Sequence, residues 1–212
     1  MHRRDIMLND FFKSEFIDKA LAIYGFSKTN DYPNFSEELE RYSNILKKTK
    51  RASGLFNFGE TFVQKINIDD INLYVVKWSI SAVKKVIKKY SSPERKFTLN
   101  SIVHVVDQKH INKSHLDVSL NNKTPIILAS YPPMAGKTKF LIIDGNHRVI
   151  SKHNDGQQEI LGYMLEPHEH MEAMVSDIHR TLFKIHFNYL KIASYIGGMI
   201  SRQELDEILY IL

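Results

Sequence analysis

The stretch FLIIDGNHRV, Phe140–Val149, places chemically active side chains at the end of an apolar run. Four apolar residues lead directly into Asp-Gly-Asn-His-Arg at positions 144–148. A buried strand followed by glycine and a helix can bind an anion, because the first N–H groups of the helix lack internal partners and its macrodipole is positive there. Gly145 would let the backbone approach the ligand closely. The sequence therefore predicts an anion-binding loop at 144–148.

Three side chains of this loop have candidate roles in phosphate chemistry. Arg148 can hold a phosphate through two parallel hydrogen bonds. His147 can donate to an anion or transfer a proton near neutral pH, and Asp144 can bind a metal ion or accept a proton. The structural alternative is that Asp144 caps the helix, Arg148 pairs with an acid and His147 is a hydrogen-bonded structural group. We favour the functional interpretation because these residue types occur together.

The elements that would position the loop form a small sheet. Apolar runs bounded by turn residues predict strands at 101–106, 125–131, 139–144 and 159–165, with a short helix from Asn146 to His153. Apolar spacing predicts flanking helices at Asp10–Tyr24, Ser36–Lys48 and Ser79–Tyr90, a β-hairpin within 61–78, and further helices after Pro167. Ser201 and Glu204 have the spacing of a capping box that opens the last helix.

The predicted fold class is therefore α+β, with a small mixed sheet, helical N- and C-terminal extensions and an N-terminal β-hairpin. We expect an N-terminal extension at residues 1–96, the sheet domain at 97–167 and C-terminal helices at 168–212.

The segments PIILASY and IIDGNHRVISKH resemble the ParB/sulfiredoxin superfamily, including the domain called ParB-like nuclease. The resemblance covers about Asn100 to Pro167. It implies a ParB/sulfiredoxin-like fold in which Gly145, Asn146, His147 and Arg148 hold a phosphate, with Ser114 and His115 placed to line the same pocket. Asn146 stands where sulfiredoxin has its reactive cysteine, and the chain contains no cysteine, so sulfinic acid reduction by that route is excluded.

Composition and charge limit the partners and the cellular compartment that we expect for this chain. The 212 residues carry a net charge of +5, which favours anionic partners. No apolar run is long enough to cross a bilayer, and the N-terminus is not typical of a secretory signal. The absence of cysteine fits a reducing compartment, so we expect a cytoplasmic protein without a membrane partner.

Two hypotheses follow for function. The first is a nucleotide-dependent phosphotransferase or hydrolase using ATP or CTP and Mg²⁺, with Asp144 and His147 as catalytic residues and Asp144 as a metal ligand; Asp107 and Asp117 are further candidate acids. The second is a non-catalytic module of a plasmid or phage that senses a nucleotide or binds DNA through the lysine-rich helix after residue 80. Nuclease activity is a third possibility that rests on the family resemblance alone.

Overall fold

The computed structural model of the chain describes residues 27–49, 59–67, 73–106, 111–132 and 139–212, together with positions 18, 21, 22 and 25. Most of the helix predicted at Asp10–Tyr24 lies outside the described residues. Within them, no helix combines the length and apolar character needed to cross a membrane.

Helices and strands are mixed along the chain, as expected for the α+β class. The helices are α1 (Phe35–Lys48), α2 (Ile80–Tyr90), α3 (Leu99–Ile102), α4 (Leu116–Leu120), α5 (Asn146–Asn154), α6 (Pro167–Glu172), α7 (Asp177–Ile196) and α8 (Arg202–Ile208). The strands are β1 (Thr61–Asn67), β2 (Leu73–Ser79), β3 (Glu94–Thr98), β4 (Ile126–Ser130), β5 (Phe140–Asp144) and β6 (Glu159–Leu165). The first two strands form a two-stranded sheet, which confirms the pairing expected for the predicted hairpin, while its predicted turn at Asp69 and Asp70 lies outside the described residues.

The chain forms two compact units. The first contains Met1–Phe56, Gln64–Val76 and Ser176–Leu212, and the second contains Asn57–Val63 and Lys77–Val175. The predicted anion-binding loop belongs to the second unit.

A four-stranded sheet forms the centre of the second unit. Its strand order is β3-β6-β4-β5; β4 runs parallel to β6, and the other two pairs are antiparallel. The sheet is therefore mixed, as predicted. A buried apolar cluster joins it to the helices α3 and α5, with members Leu99, Ile102, Val106, Ile126, Leu128, Ile142, Val149, Ile150 and Ile160. This cluster fixes α5 against the sheet.

Three predicted strands and the short helix after Gly145 are confirmed, but the strand predicted at 101–106 is wrong. That segment begins within α3 and continues as a 3-10 helix, Val103–Val105. The buried residues Leu99, Ile102 and Val106 are spaced by three and four positions, which is helical spacing. The fourth strand of the sheet is β3, which precedes this segment and pairs with β6.

The first unit contains α1, α7 and α8. Asn188 on α7 is buried, and its amide accepts from the N–H of Tyr210 at 2.7 Å and donates to the Tyr210 carbonyl at 2.8 Å. The predicted capping box at the start of α8 is confirmed, with both the Ser201 and the Glu204 hydrogen bonds present.

Candidate functional site

Gly145 is the turning point between β5 and α5. It has φ +100°, in the left-handed region, and serves as the N-cap of α5. A Cβ at this position would lie 2.5 Å from Cγ2 of Ile126 and 2.8 Å from Nη2 of Arg148. Both conformation and packing therefore require glycine here.

Within the part of the chain that the structure describes, the backbone donors in the first turn of α5 have no partner. The N-cap, Gly145, has no side chain to accept from them, and the first backbone hydrogen bond at this end runs from Val149 N–H to Gly145 O at 3.0 Å. The N–H groups of Asn146, His147 and Arg148 precede it and have no acceptor inside the helix. The alternative in which Asp144 caps the helix is therefore wrong, since Gly145 occupies the cap position.

Asp144 and Arg148 form an ion pair at the base of this turn. Arg148 Nη2 lies 3.3 Å from Asp144 Oδ1, and the two side chains are 11% and 17% exposed. The same Nη2 donates to the Pro125 carbonyl at 3.4 Å, while the buried Arg148 Nε has no hydrogen-bond partner among the residues that the structure describes. A two-pronged grip of Arg148 on a ligand would require this pairing to be broken.

Asn146 uses its side chain to fix the loop. Its Nδ2 donates to the carbonyl of Ile142 at 3.0 Å, back toward β5. Asn146 can therefore offer an anion its backbone N–H and the second hydrogen of Nδ2.

His147 is held by the segment that precedes α4. Its Nε2 accepts a hydrogen bond from the backbone N–H of Asn112 at 3.0 Å, so the proton of the neutral ring resides on Nδ1. Burial lowers the pKa of His147, and the charge of His115 lowers it further. The ring centroids of His115 and His147 are 5.7 Å apart. His147 is therefore favoured as a neutral side chain that can donate through Nδ1–H.

The other two residues predicted at the site, His115 and Ser114, differ in their relation to the loop. His115 is exposed and lies beside His147. The hydroxyl of Ser114 donates to Oδ1 of Asn112 at 2.9 Å, and its backbone N–H donates to the same oxygen at 3.1 Å. Ser114 thus stabilises the turn that carries His115, and its hydroxyl is not directed into the loop.

Metal ligation has little support in this arrangement. Among the residues that the structure describes, no group of three or more His, Asp or Glu side chains is placed to hold a metal ion. Asp144 faces a guanidinium, and His147 presents an N–H where a metal needs a lone pair. Asp117 is exposed on α4, and Asp107 lies outside the described residues. Magnesium binding stays a prediction.

Two contributors to the site were not predicted. One is the backbone N–H of Asn112, and the other is Ser151, whose Oγ donates to the carbonyl of Leu116 at 2.6 Å. The sequence Asn-Lys-Ser at 112–114 has the pattern of a local side-chain-to-backbone turn, and this pattern could have indicated the role of Asn112. Ser151 lies within α5 and has no comparable sequence signal.

The site thus consists of a glycine-initiated helix with unpaired amides, an ion pair at its base and two adjacent imidazoles. Comparison of the chain with protein-family models, with curated proteins and with solved structures gave no match.

Proposed function

We propose that the chain binds the phosphate group of a nucleotide, or of another phosphorylated small molecule, at the first turn of α5. The observation that carries the proposal is the hydrogen bond from Asn112 N–H to His147 Nε2. It leaves Nδ1–H of the neutral ring as a donor on a helix turn whose first three backbone N–H groups have no acceptor inside the helix. Several donors at the positive end of a helix suit phosphate oxygens and do not suit a cation.

The same geometry limits the chemistry that His147 can perform. A ring protonated on Nδ1 can donate to a phosphate oxygen or to a leaving group, whereas it has no lone pair there with which to act as a base. Asp144 is paired with Arg148 at 3.3 Å. If the chain is a nucleotide-dependent phosphotransferase or hydrolase, His147 would be its proton donor. Mg²⁺ would then be bound together with the phosphates of ATP or CTP.

We also propose that the second unit is of the ParB/sulfiredoxin type. The support is the sequence Asp-Gly-Asn-His-Arg at 144–148, which lies where β5 passes through Gly145 into α5. The hairpin-like pair β4 and β5 precedes that turn.

Calorimetry with ATP, CTP and inorganic phosphate, each with and without Mg²⁺, tests binding. His147→Asp adds a negative charge to the first turn of α5, where it favours the helix but repels an anion. We expect it to weaken binding at least about tenfold, whereas His147→Asn should lose less. His168→Asp is the matched control, because His168 occupies the same second position of helix α6.

Absence of binding to all three ligands would contradict the proposal, as would equal losses in the His147→Asp and His168→Asp variants. Release of phosphate from ATP or CTP by the wild-type chain distinguishes an enzyme from a nucleotide-sensing module. Binding without release favours the sensing module.

A further inference from the structure

The positive charge of the chain is concentrated in one short segment. Residues 77–96 contain seven Lys or Arg residues and a single acid, Glu94, for a net charge of +6. The whole chain carries +5, so the remaining residues together are close to neutral. This segment includes the whole of α2 and precedes the part of the chain that forms the nucleotide site.

Helix α2 separates its apolar and basic residues completely. Ile80, Val83 and Val86 are buried, while the opposite face exposes four lysines, at positions 84, 85, 88 and 89. We call these four residues the lysine face. Its lysines are available to solvent because the apolar side of the helix faces the interior.

Ion pairing neutralises little of the lysine face. Lys89 lies 2.7 Å from both carboxylate oxygens of Glu172. Lys84, Lys85 and Lys88 have no ion-pair partner among the residues that the structure describes. Like charges four positions apart, as in Lys84 and Lys88, destabilise a helix by about 0.2–0.5 kcal/mol. The lysine face is therefore not explained by helix stability.

The chemistry of the lysine face fits a polyanion with regularly spaced charges. Insertion into a lipid surface needs an exposed apolar face, and that face of α2 is buried. Base stacking needs a free aromatic ring, but the hydroxyl of Tyr90 donates to Glu172 and the Lys89 ammonium lies 4.8 Å from its ring centroid. The lysine face can therefore contact a polyanion only through phosphate groups.

We propose that the lysine face binds the phosphate backbone of nucleic acid without reading its sequence. Lys84, Lys85 and Lys88 supply the contacts, and Lys89 remains with Glu172. The lysine face shares no residue with the proposed nucleotide site at α5, so the two proposals can fail independently.

Fluorescence anisotropy with a labelled DNA duplex tests the proposal, with an RNA duplex of the same sequence in a second arm. Affinity should fall as salt rises from about 50 to about 200 mM, with a log–log slope near −0.9 for each phosphate contact. The double substitution Lys84→Gln with Lys88→Gln should reduce the magnitude of that slope by about 2. The charge-matched control is Lys65→Gln with Lys123→Gln, two lysines that are also exposed, and its slope should equal that of the wild type.

The proposal is overturned by a lack of binding to either duplex at the lower salt concentration, by the same slope change in the control, or by binding to anionic lipid vesicles without binding to nucleic acid. The His147→Asp variant should bind DNA like the wild type. Loss of DNA binding in that variant would assign the DNA contact to α5 and contradict the lysine face. Matching thermal unfolding curves establish that the variants are folded.

Discussion

The backbone N–H of Asn112 donates to Nε2 of His147 at 3.0 Å. At the other end of the same short segment, the Leu116 carbonyl accepts from Ser151 Oγ at 2.6 Å. Two hydrogen bonds thus join residues 112–116 to successive turns of α5. This attachment brings the ring of His115 beside that of His147 and sets which nitrogen of His147 carries the proton.

Ser151→Ala tests whether this attachment controls His147. The substitution removes the hydroxyl that donates to the Leu116 carbonyl, and we expect a loss of about 0.5–1.5 kcal/mol in the free energy of unfolding. Burial and the neighbouring His115 lower the pKa of His147, so loosening the segment should raise that pKa toward its ordinary value. An NMR titration of the imidazole measures the change.

Ser114→Ala is the matched control for Ser151→Ala, because the Ser114 hydroxyl bonds only within its own turn and is exposed. It should leave the pKa of His147 almost unchanged. If Ser151→Ala also leaves that pKa unchanged, the segment does not determine the environment of His147.

Gly145→Ala separates the cost of packing from the cost of backbone conformation. An alanine at Gly145 must adopt φ +100° and place Cβ within 2.5 Å of Ile126. Gly156 also has a positive φ, +79°, but a Cβ there would meet nothing within 4 Å. Gly156→Ala should cost about 1–2 kcal/mol from conformation alone, and Gly145→Ala about 1–3 kcal/mol more from overpacking. Chemical denaturation measures both, and equal costs would contradict the packing at Gly145.

The sequence predicted the strand, glycine and helix of the loop because each has a strong local signal. Four apolar residues indicate β5, and a glycine followed by a polar turn indicates the break at Gly145. The segment 101–106, which ends α3 and forms the 3-10 helix Val103–Val105, was predicted as a strand, because a short apolar run does not distinguish a strand from a buried helix. Strand β3 was missed because four of its five residues are exposed, so it lacks an apolar signature.

The arrangement of the site was predictable only in part. The pattern at 144–148 gave the residues of the loop, and the resemblance to the ParB/sulfiredoxin superfamily predicted that His115 lies near them. The pairing of Arg148 with an acid was one of two alternatives that the sequence left open. That this acid is Asp144 was not predicted, since a strand end and a helix start do not determine the direction of a long side chain. The donor to His147 is a backbone N–H, at Asn112, and backbone groups have no signature in a sequence.

A double-mutant cycle on Asp144 and Arg148 measures the ion pair at the base of α5. Arg148→Ala leaves the largely buried carboxylate of Asp144 without its cation, and we expect a loss of about 3 kcal/mol in the free energy of unfolding. Asp144→Ala leaves the guanidinium unpaired. The double variant should be more stable than the sum of the two losses predicts, by about 0.5–3 kcal/mol. Strict additivity would show that the pair makes no net contribution.

The same cycle bears on phosphate binding. If Arg148 contacts the ligand, Asp144→Ala should free the guanidinium and strengthen phosphate binding, whereas Arg148→Ala should weaken it. If both variants bind phosphate like the wild type while remaining folded, the role of Arg148 is structural and the affinity comes from the backbone and His147.

Two buried histidines make stability depend on pH. Burial lowers the pKa of His170 to about 4 and that of His186 to about 3. Below pH 6.5 and above the folded-state pKa values, both rings are neutral in the folded chain. In the unfolded chain the same histidines, with their ordinary pKa of 6.5, are already protonated. The free energy of unfolding should therefore decrease as the pH falls below about 6.5, by up to about 1.4 kcal/mol per pH unit for each histidine, until the folded-state pKa is reached.

His186→Leu should reduce that pH dependence. The imidazole of His186 is hydrogen-bonded to the hydroxyl of Tyr74 at 2.9 Å, so the leucine variant should be less stable at neutral pH, by about 1–3 kcal/mol. It should nevertheless lose less stability than the wild type between about pH 6.5 and pH 4, because one proton-binding group has been removed from the unfolded chain. Urea unfolding across that range measures both effects. The exposed His104 provides the control, since His104→Leu should leave the dependence of the free energy of unfolding on pH unchanged. If His186→Leu shows the same pH dependence as the wild type, the buried His186 is not the source of that dependence.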